Sequence, residues 1–462
     1  MKNKPIAAMV IFILATLALT ATAYGSNIRV GLLRSAWNRD SIQVSSTSIE
    51  VGRGGYGGSF IYNRTLTSAT GFTLQVSGGQ VVIQSGGSTL FTFTNDAYGT
   101  PKIRGSAGEP VAMGSYSYRG ALEFTINGGR INTVNVISLE EYLYGVLPME
   151  VPQHFHPQAK QAQAVAARTF ALYSINSGRH RAQGFDICDN THCQVYHGAS
   201  REQESTTEAV RATHRLAIFA PGGDTPLFTP YFSSSGGATD NTENVWNDNL
   251  PHLRGVLDPF ETNPRIWSRT YTWAQLTNAV RAEAPNANIG NVTSISVRTE
   301  HPGRVQEVTF HGTNGNWSAT RQGILTVFRH IDRSLYSRNF YIPGSVGGGG
   351  STTMASTITI FDGHTMVDTP ATNLQAVDAT GHIGTVTSPN AFDGSLTRFL
   401  LETTTATGIA TFSGGNGITI NGRGWGHGVG MSQNGANGMA QAGFTFLEIL
   451  HHYYTNVEIR EH

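Results

Sequence analysis

Cysteine is nearly missing from this chain: Cys188 and Cys193 are the two thiols among 462 residues. So thin a thiol complement excludes a scaffold stapled by many disulfides. The fold must rest on a buried apolar core, for which the length is ample and allows about two or three domains. Charge is scarce too, with Asp, Glu, Lys and Arg at 13% of residues, about half of ordinary usage, which disfavours long charged helices. Lys plus Arg and Asp plus Glu stand at 31 each, so no net field draws in nucleic acid. A neutral polymer such as a glycan is compatible with that balance. No internal repeat is present. A nucleotide loop is missing as well, since no Gly-Lys-Ser/Thr occurs in the glycine-rich "GRGWGHG".

What is present begins with "MKNKPIAAMVIFILATLALTATAYG". Lys2 and Lys4 precede an apolar run from Ile6 to Leu19, and Ala21-Thr22-Ala23 offers a small-x-small cleavage site. Residues 1–23 therefore read as a signal peptide. The alternative is an uncleaved membrane anchor, because about 18 apolar residues can span a bilayer. No cysteine follows the run, which argues against lipid attachment there. Either way the rest of the protein is expected outside the cytoplasm, in the wall or a periplasm-like space.

Glycine is abundant, at 54 residues. From Asn27 to about Asn135 it punctuates strand-like segments as "GG" and "NGG" turns. "SLEEYLYGVLPME" then opens with Ser138 and Glu141 as a capping box, and Gly145 and Pro148 are expected to end that helix. In "HPQAKQAQAVAARTFALYSIN" Pro157 starts an alanine-rich helix, with Ala162, Val165, Ala166, Phe170 and Tyr173 on its inward face. Residues 205–345 read as mixed, with helices near 205–214 and 272–283. A Gly-Ser spacer starts at Val346, and 346–420 read as linker plus a β-rich insertion. Residues 421–462 end on two helices, the second capped by Thr445 and Glu448. The expected class is mixed α+β: a strand-rich scaffold, a central alanine-rich helix and a groove between subdomains, with 27–345 as the core.

Four stretches carry candidate chemistry. Glu150, in "GVLPMEVPQHF", is a carboxylate in apolar company. Desolvation would raise its pKa towards what a general acid needs, whereas the positive end of the next helix would lower it. A capping or ion-paired glutamate is the bland alternative. In "FDICDNTHCQVYHG" the two cysteines close a small disulfide loop, or Cys188, His192 and Cys193 bind zinc with His180 or His197 as fourth ligand. "TPYFSSSGGATDNTENVW" is either a solvated loop or a sugar-holding surface rich in short polar groups.

"NGRGWGHGVGMSQ" sets glycine at every second position from Gly422 to Gly430. If extended, one face is bare backbone, while Arg423, Trp425, His427, Val429 and Met431 share the other. The ribbon then either floors a ligand or packs under another element.

Taken together, "YRGALEF", "NVISLEEYLYGVLPMEVP", "HPQAKQAQAVAARTFALY", "DICDNTHCQVYHG", "YFSSSGGATDNTENVW", "LPHLRGVLDPFE" and the final glycine-rich block resemble the stage II sporulation protein D (SpoIID/LytB domain) family. The likeness implies a peptidoglycan lytic transglycosylase that cuts MurNAc-β-1,4-GlcNAc bonds, with Glu150 as the essential acid. It implies a preference for glycan stripped of its peptides, and hence a cell-wall amidase as partner. Zinc at the Cys/His block of some members places metal ahead of disulfide, with His180 the candidate fourth ligand. By the same resemblance the "SSSGG" loop and the "GRGWGHG" ribbon would line the glycan groove, and we expect Arg168, Ser233, Ser234, Ser235, Arg423, Trp425, His427 and Gln433 to contact glycan. Two rivals remain: a non-catalytic glycan-binding amidase enhancer, and a zinc hydrolase working at the cysteines.

Overall fold

The computed structural model describes residues 27–341 apart from 56–58, 94–98, 247, 262, 301–303, 336 and 339. It further describes the backbone of five short strands between 357 and 401, and residues 409–462. The expected signal segment and Gly-Ser spacer lie outside the described residues. Two compact units result: Met1–Glu150 with Ser174–Thr207, and Val151–Tyr173 with Glu208–His462.

The first unit is built from hairpins. One sheet runs Ile187–Cys188, Asn27–Gly31, Arg130–Ser138, Ala121–Asn127, Thr100–Gly105, Ser48–Gly54, Ile61–Thr67 in spatial order. A second runs Tyr116–Tyr118, Val111–Met113, Ser41–Val44, Phe72–Ser77, Gln80–Ser85, Ser88–Thr92. Three of the turns are Gly-Gly pairs, 78–79, 86–87 and 128–129, with both φ angles positive. That is the backbone a two-residue hairpin with right-handed strand twist requires. Ile187–Cys188 pairs parallel with Val30 and Gly31, which ties the cysteine segment to the sheet.

A helix, Leu139–Glu150, follows directly on Arg130–Ser138. Its start is as expected: the Glu141 N–H donates to Ser138 Oγ at 3.4 Å and the Ser138 hydroxyl donates to Glu141 at 2.7 Å. Its end is not. The helix continues through Gly145 and Pro148 to Glu150. A proline in the last turn forfeits one hydrogen bond without stopping the helix. Gly145 serves packing, since a Cβ there would lie 2.7 Å from the Tyr196 ring.

In the second unit the helix Pro157–Ser177 starts at the expected proline. Every residue from Ala162 to Thr169 is buried, so burial encircles the helix instead of following one stripe. Alanine permits this by letting neighbours approach from all sides. Phe170 is half-buried and Tyr173 exposed, against expectation for both. Ala162, Val165 and Ala166 pack with Ile218, Met431, Ile449 and Tyr453.

Around this core, Leu216–Phe219 pairs with Glu458–Glu461, and Tyr231–Phe232 runs parallel to Met431–Ser432. A separate core sits between the helices Trp273–Glu283 and Gln322–Arg329 and the sheet Asn316–Thr320, Arg304–Gly312, Val292–Glu300, Ile409–Ser413. Ile409–Ser413 and Gly417–Arg423, read from sequence as largely insertion, thus pair with strands of this unit. Helices Gln433–Gln441 and Phe446–Tyr453 precede the last strand, Glu458–Glu461, the second helix with the Thr445–Glu448 capping box formed. The mixed α+β class is borne out.

Candidate functional site

Glu150 closes its helix and is half-buried. Its Oε1 accepts the Val195 N–H at 3.3 Å. It therefore does not lie in a loop between two helices, as its flanking residues implied. The carboxylate sits at a helix end and is held from the side by the segment that follows the cysteines.

That segment gathers four donors. One ligand atom from each of His180, Cys188, His192 and Cys193 lies within 4.8 Å of every other. His180 Nε2 is 3.3 Å from Cys193 Sγ, and His192 Nδ1 is 3.5 and 3.4 Å from the two sulfurs. The thiols are free, 3.0 Å apart. Tetrahedral zinc with Zn–S of about 2.3 Å and Zn–N of about 2.0 Å separates its ligands by roughly 3.3–3.8 Å, so the set fits that ion after small adjustments.

The surroundings agree. His180 Nδ1 contacts Gln183 Oε1 at 3.1 Å, which makes Nδ1 the protonated nitrogen and leaves Nε2 as a lone-pair donor. Its ring stacks on Phe185 at 4.8 Å, and Phe185 meets Trp37 edge-on. Arg179, which is exposed, reaches His192 Nε2 at 3.0 Å. A metal on Nδ1 would leave the proton on Nε2, facing that guanidinium. Cys193 is held down to about 5, chiefly by the Cys188 S–H donated to it, with burial opposing. Cys188, giving that bond and buried, is pushed up. His197, the other candidate ligand, is elsewhere, packed on Tyr116 at 4.9 Å.

The glycine run belongs to the second unit, and its backbone is not an extended ribbon. Gly424, Gly426, Gly428 and Gly430 have φ of 80°, 116°, 89° and 77°, a region L-residues with side chains avoid. Their bare sides are filled by the protein itself. A Cβ on Gly426 would lie 2.7 Å from Phe232, one on Gly428 2.5 Å from the Arg304 guanidinium carbon, and one on Gly430 would collide with the Pro230 carbonyl. The packing alternative holds for this face, and no floor is left open for a ligand. Period-two spacing reports alternation; it does not report the sign of φ.

The expected glycan contacts divide accordingly. Arg168 is wholly buried and donates to Leu216 O and Val210 O, both at 3.1 Å; it ties its helix to the strand beside it and does not face a ligand. His427 is half-buried, yet both ring nitrogens are engaged. Nε2 donates to Tyr231 O and Nδ1 accepts the Val429 N–H, each at 3.1 Å. Desolvation lowers its pKa to about 4, so it is neutral and structural. Ser234 and Ser235 are buried, Ser234 in a two-way backbone pairing with Trp425 and Ser235 donating to Glu261 at 2.8 Å. Gln433 is buried against Gln163. Arg423 is exposed, while Ser233 and Trp425 are half-buried. The Arg265 guanidinium lies 3.7 Å over the Trp425 ring, a cation–π contact.

Sequence reasoning missed the charged interior beneath this run. Arg304 and Arg338 are each 1% exposed. Arg338 pairs with Asp240 at 2.6 Å, and Arg304 donates to Ser235 O and Ala238 O at 2.9 Å. Burial lowers Arg304 to about 10, with Asp240 opposing. Asp240 falls inside the polar stretch "TDNTENVW", whose composition carries no mark of burial. Arg304 and Arg338 lie in stretches without any motif.

Asp258 is also sealed in, and neither carboxylate oxygen makes a well-formed hydrogen bond. Burial raises its pKa to about 6, against the nearby Ser235, Tyr453 and Ser432 hydroxyls. A raised carboxylate pKa means the native state prefers the protonated form. That stabilisation is whole below the unfolded value of about 3.9 and is lost as pH rises through 6. Asp258→Asn escapes the loss. Its stability relative to the wild type should therefore climb by up to ~3 kcal/mol between pH 4 and pH 7.5, as read by urea unfolding. A difference that does not change with pH would contradict the assignment.

Residues 127–219 match the model of the SpoIID, stage II sporulation protein, family. An uncharacterised protein of Brachyspira hyodysenteriae is 28% identical over 353 residues, spanning 75% of this chain and 73% of its own. Stage II sporulation protein D of Bacillus subtilis is 27% identical, over 71% of this chain and 76% of its own. The amidase enhancer of the same organism is 26% identical over 68% of this chain, which is 39% of that protein.

Proposed function

As a relative of the stage II sporulation protein D family, this chain has a cell-wall-related role, and we propose that it is a peptidoglycan lytic transglycosylase. The observation that carries the reading is Glu150: one carboxylate within the family-matched segment, half-buried at a helix end with Oε1 held by a backbone N–H. Lytic cleavage needs only one such group. The protonated carboxyl gives its proton to the glycosidic oxygen as the MurNAc C1–O bond breaks. The resulting carboxylate takes the proton of the C6 hydroxyl as that oxygen closes on C1. The products are a free GlcNAc 4-hydroxyl and a 1,6-anhydro-MurNAc end. No water is consumed, and no second acid is required, unlike the two-carboxylate hydrolytic scheme.

In the second unit Arg423, Ser233 and Trp425, with its Arg265 cover, are the side chains left available as glycan contacts. Peptide-free strands are the proposed substrate, and an amidase would supply them. His180, Cys188, His192 and Cys193 would hold one zinc ion. With all four positions filled by protein, that ion would be structural, and it would leave no open position for hydrolysis. A second reading, a glycan-binding amidase enhancer with no chemistry of its own, draws on the 26% identity to such a protein. Digestion of amidase-treated peptidoglycan by the purified protein decides between them. Anhydro ends support the enzyme, whereas their absence alongside stimulation of an added amidase supports the enhancer.

A further inference from the structure

Cys193 is the last of the four donors, and each of the next three residues grips the helix that carries Glu150. Gln194, buried, accepts through Oε1 from the wholly buried Tyr142 hydroxyl at 3.1 Å. Val195 gives its N–H to Glu150. Tyr196 lies on Gly145 and meets the Tyr142 ring at a tilt with centroids 4.9 Å apart, and its hydroxyl donates to Asn135 at 2.8 Å. Contacts thus fall at the first, middle and last turns of Leu139–Glu150, all from one tripeptide.

The segment supplying them has little ladder of its own. Asp189 N–H donates to Gly31 O at 3.2 Å and prolongs the pairing of Ile187–Cys188 by one residue; beyond it two backbone bonds are local, Cys193 N–H to Asn190 O at 3.1 Å and Tyr196 N–H to Asp189 O at 3.3 Å. Its position depends on the donor cluster, whose far side is fixed by the His180–Phe185–Trp37 stack. Consecutive residues cannot shift independently, because each Cα is tied about 3.8 Å from the next. Movement at Cys193 therefore reaches Val195.

We infer that residues 194–196 are a strap that transmits the order of the His180/Cys188/His192/Cys193 cluster to the Glu150 carboxylate. Gln194 and Tyr142 are positioning residues, and the zinc-bound cluster is the strap's anchor. The inference rests on Glu150 being the reacting acid, but the results that decide it, zinc uptake and amide exchange, do not use the reaction.

The full chain is titrated with zinc, and amide hydrogen exchange is compared with and without a chelator. One zinc per chain should be taken up. Removing it should raise exchange at Val195 and across residues 139–150 by ~10-fold or more, well beyond the cluster itself. Gln194→Ala, with zinc still bound, should raise exchange over residues 139–150 alone. On peptide-free glycan it should lower kcat while KM is kept.

Three results would overturn the strap: no zinc uptake, a chelation effect confined to residues 180–193, or Gln194→Ala exchange identical to the wild type. Chelation that unfolds the whole first unit shifts the decision to Gln194→Ala, which keeps all four donors. Loss of the transglycosylase reading would leave every exchange result standing.

Discussion

Glu150→Gln is expected to stop the release of 1,6-anhydro ends, with a fall in rate of ~10³-fold or more. The change is nearly isosteric, and the amide oxygen can still accept the Val195 N–H, so helix and strap survive. What disappears is the proton. General acid–base groups supply about 10²–10⁴ in rate, and here one group serves both halves of the reaction, so its loss falls at the upper end. Mass spectrometry of products from peptide-free glycan measures it, with thermal unfolding of the variant as a control for the fold. A variant that keeps a tenth of wild-type turnover, with an intact fold, would remove Glu150 from the chemistry. Glycan binding should persist, since the residues assigned to it lie elsewhere in the chain.

The second large effect concerns stability. Asp240→Ala should destabilise the second unit by about 3–5 kcal/mol, the usual range for breaking a buried ion pair from one side. Asp240 and Arg338 are both 0% exposed in their side chains and meet at 2.6 Å. Asp240 also accepts from Asn244 Nδ2 and the Asn241 N–H, and its own N–H donates to Gly428 O at 2.7 Å. Its removal strands the Arg338 guanidinium, and Arg304 loses the charge that opposes its burial. Asp240→Asn should fall between, because the amide keeps an acceptor without the charge. Chemical denaturation monitored by tryptophan fluorescence reads both variants. A cost below about 1 kcal/mol for Asp240→Ala would mean that water reaches the pair.

What could be read from the sequence was local. Ser138, Pro157 and Thr445 mark helix starts because a cap is a matter of a few neighbouring residues. The metal-type cluster was visible because three donors lie within six residues, and His180 closes it across a short turn. Arg168 was misread because the carbonyls it serves belong to Val210 and Leu216, more than forty positions on. His427 looks available because nothing nearby in sequence shows that Tyr231 O accepts its Nε2–H. Gly145 and Pro148 look like helix breakers until Tyr196 is seen to need the space beside one of them. Each miss comes from a partner distant in the chain, which composition and spacing do not register.

The pairing of Leu216–Phe219 with Glu458–Glu461, and of Tyr231–Phe232 with Met431–Ser432, also bears on the order of events during synthesis. A ribosome delivers the early partner long before the late one, and non-local pairing of this kind is slow to close. Until then Ile218 and the alanine face of Pro157–Ser177 lack the cover of Met431, Ile449 and Tyr453. The nascent second unit is thus an open, apolar surface for most of its translation. It should depend on a holding chaperone, or on crossing a membrane unfolded, more than such hairpins of the first unit as Phe72–Ser77 with Gln80–Ser85 and Ala121–Asn127 with Arg130–Ser138, whose strands meet as they emerge.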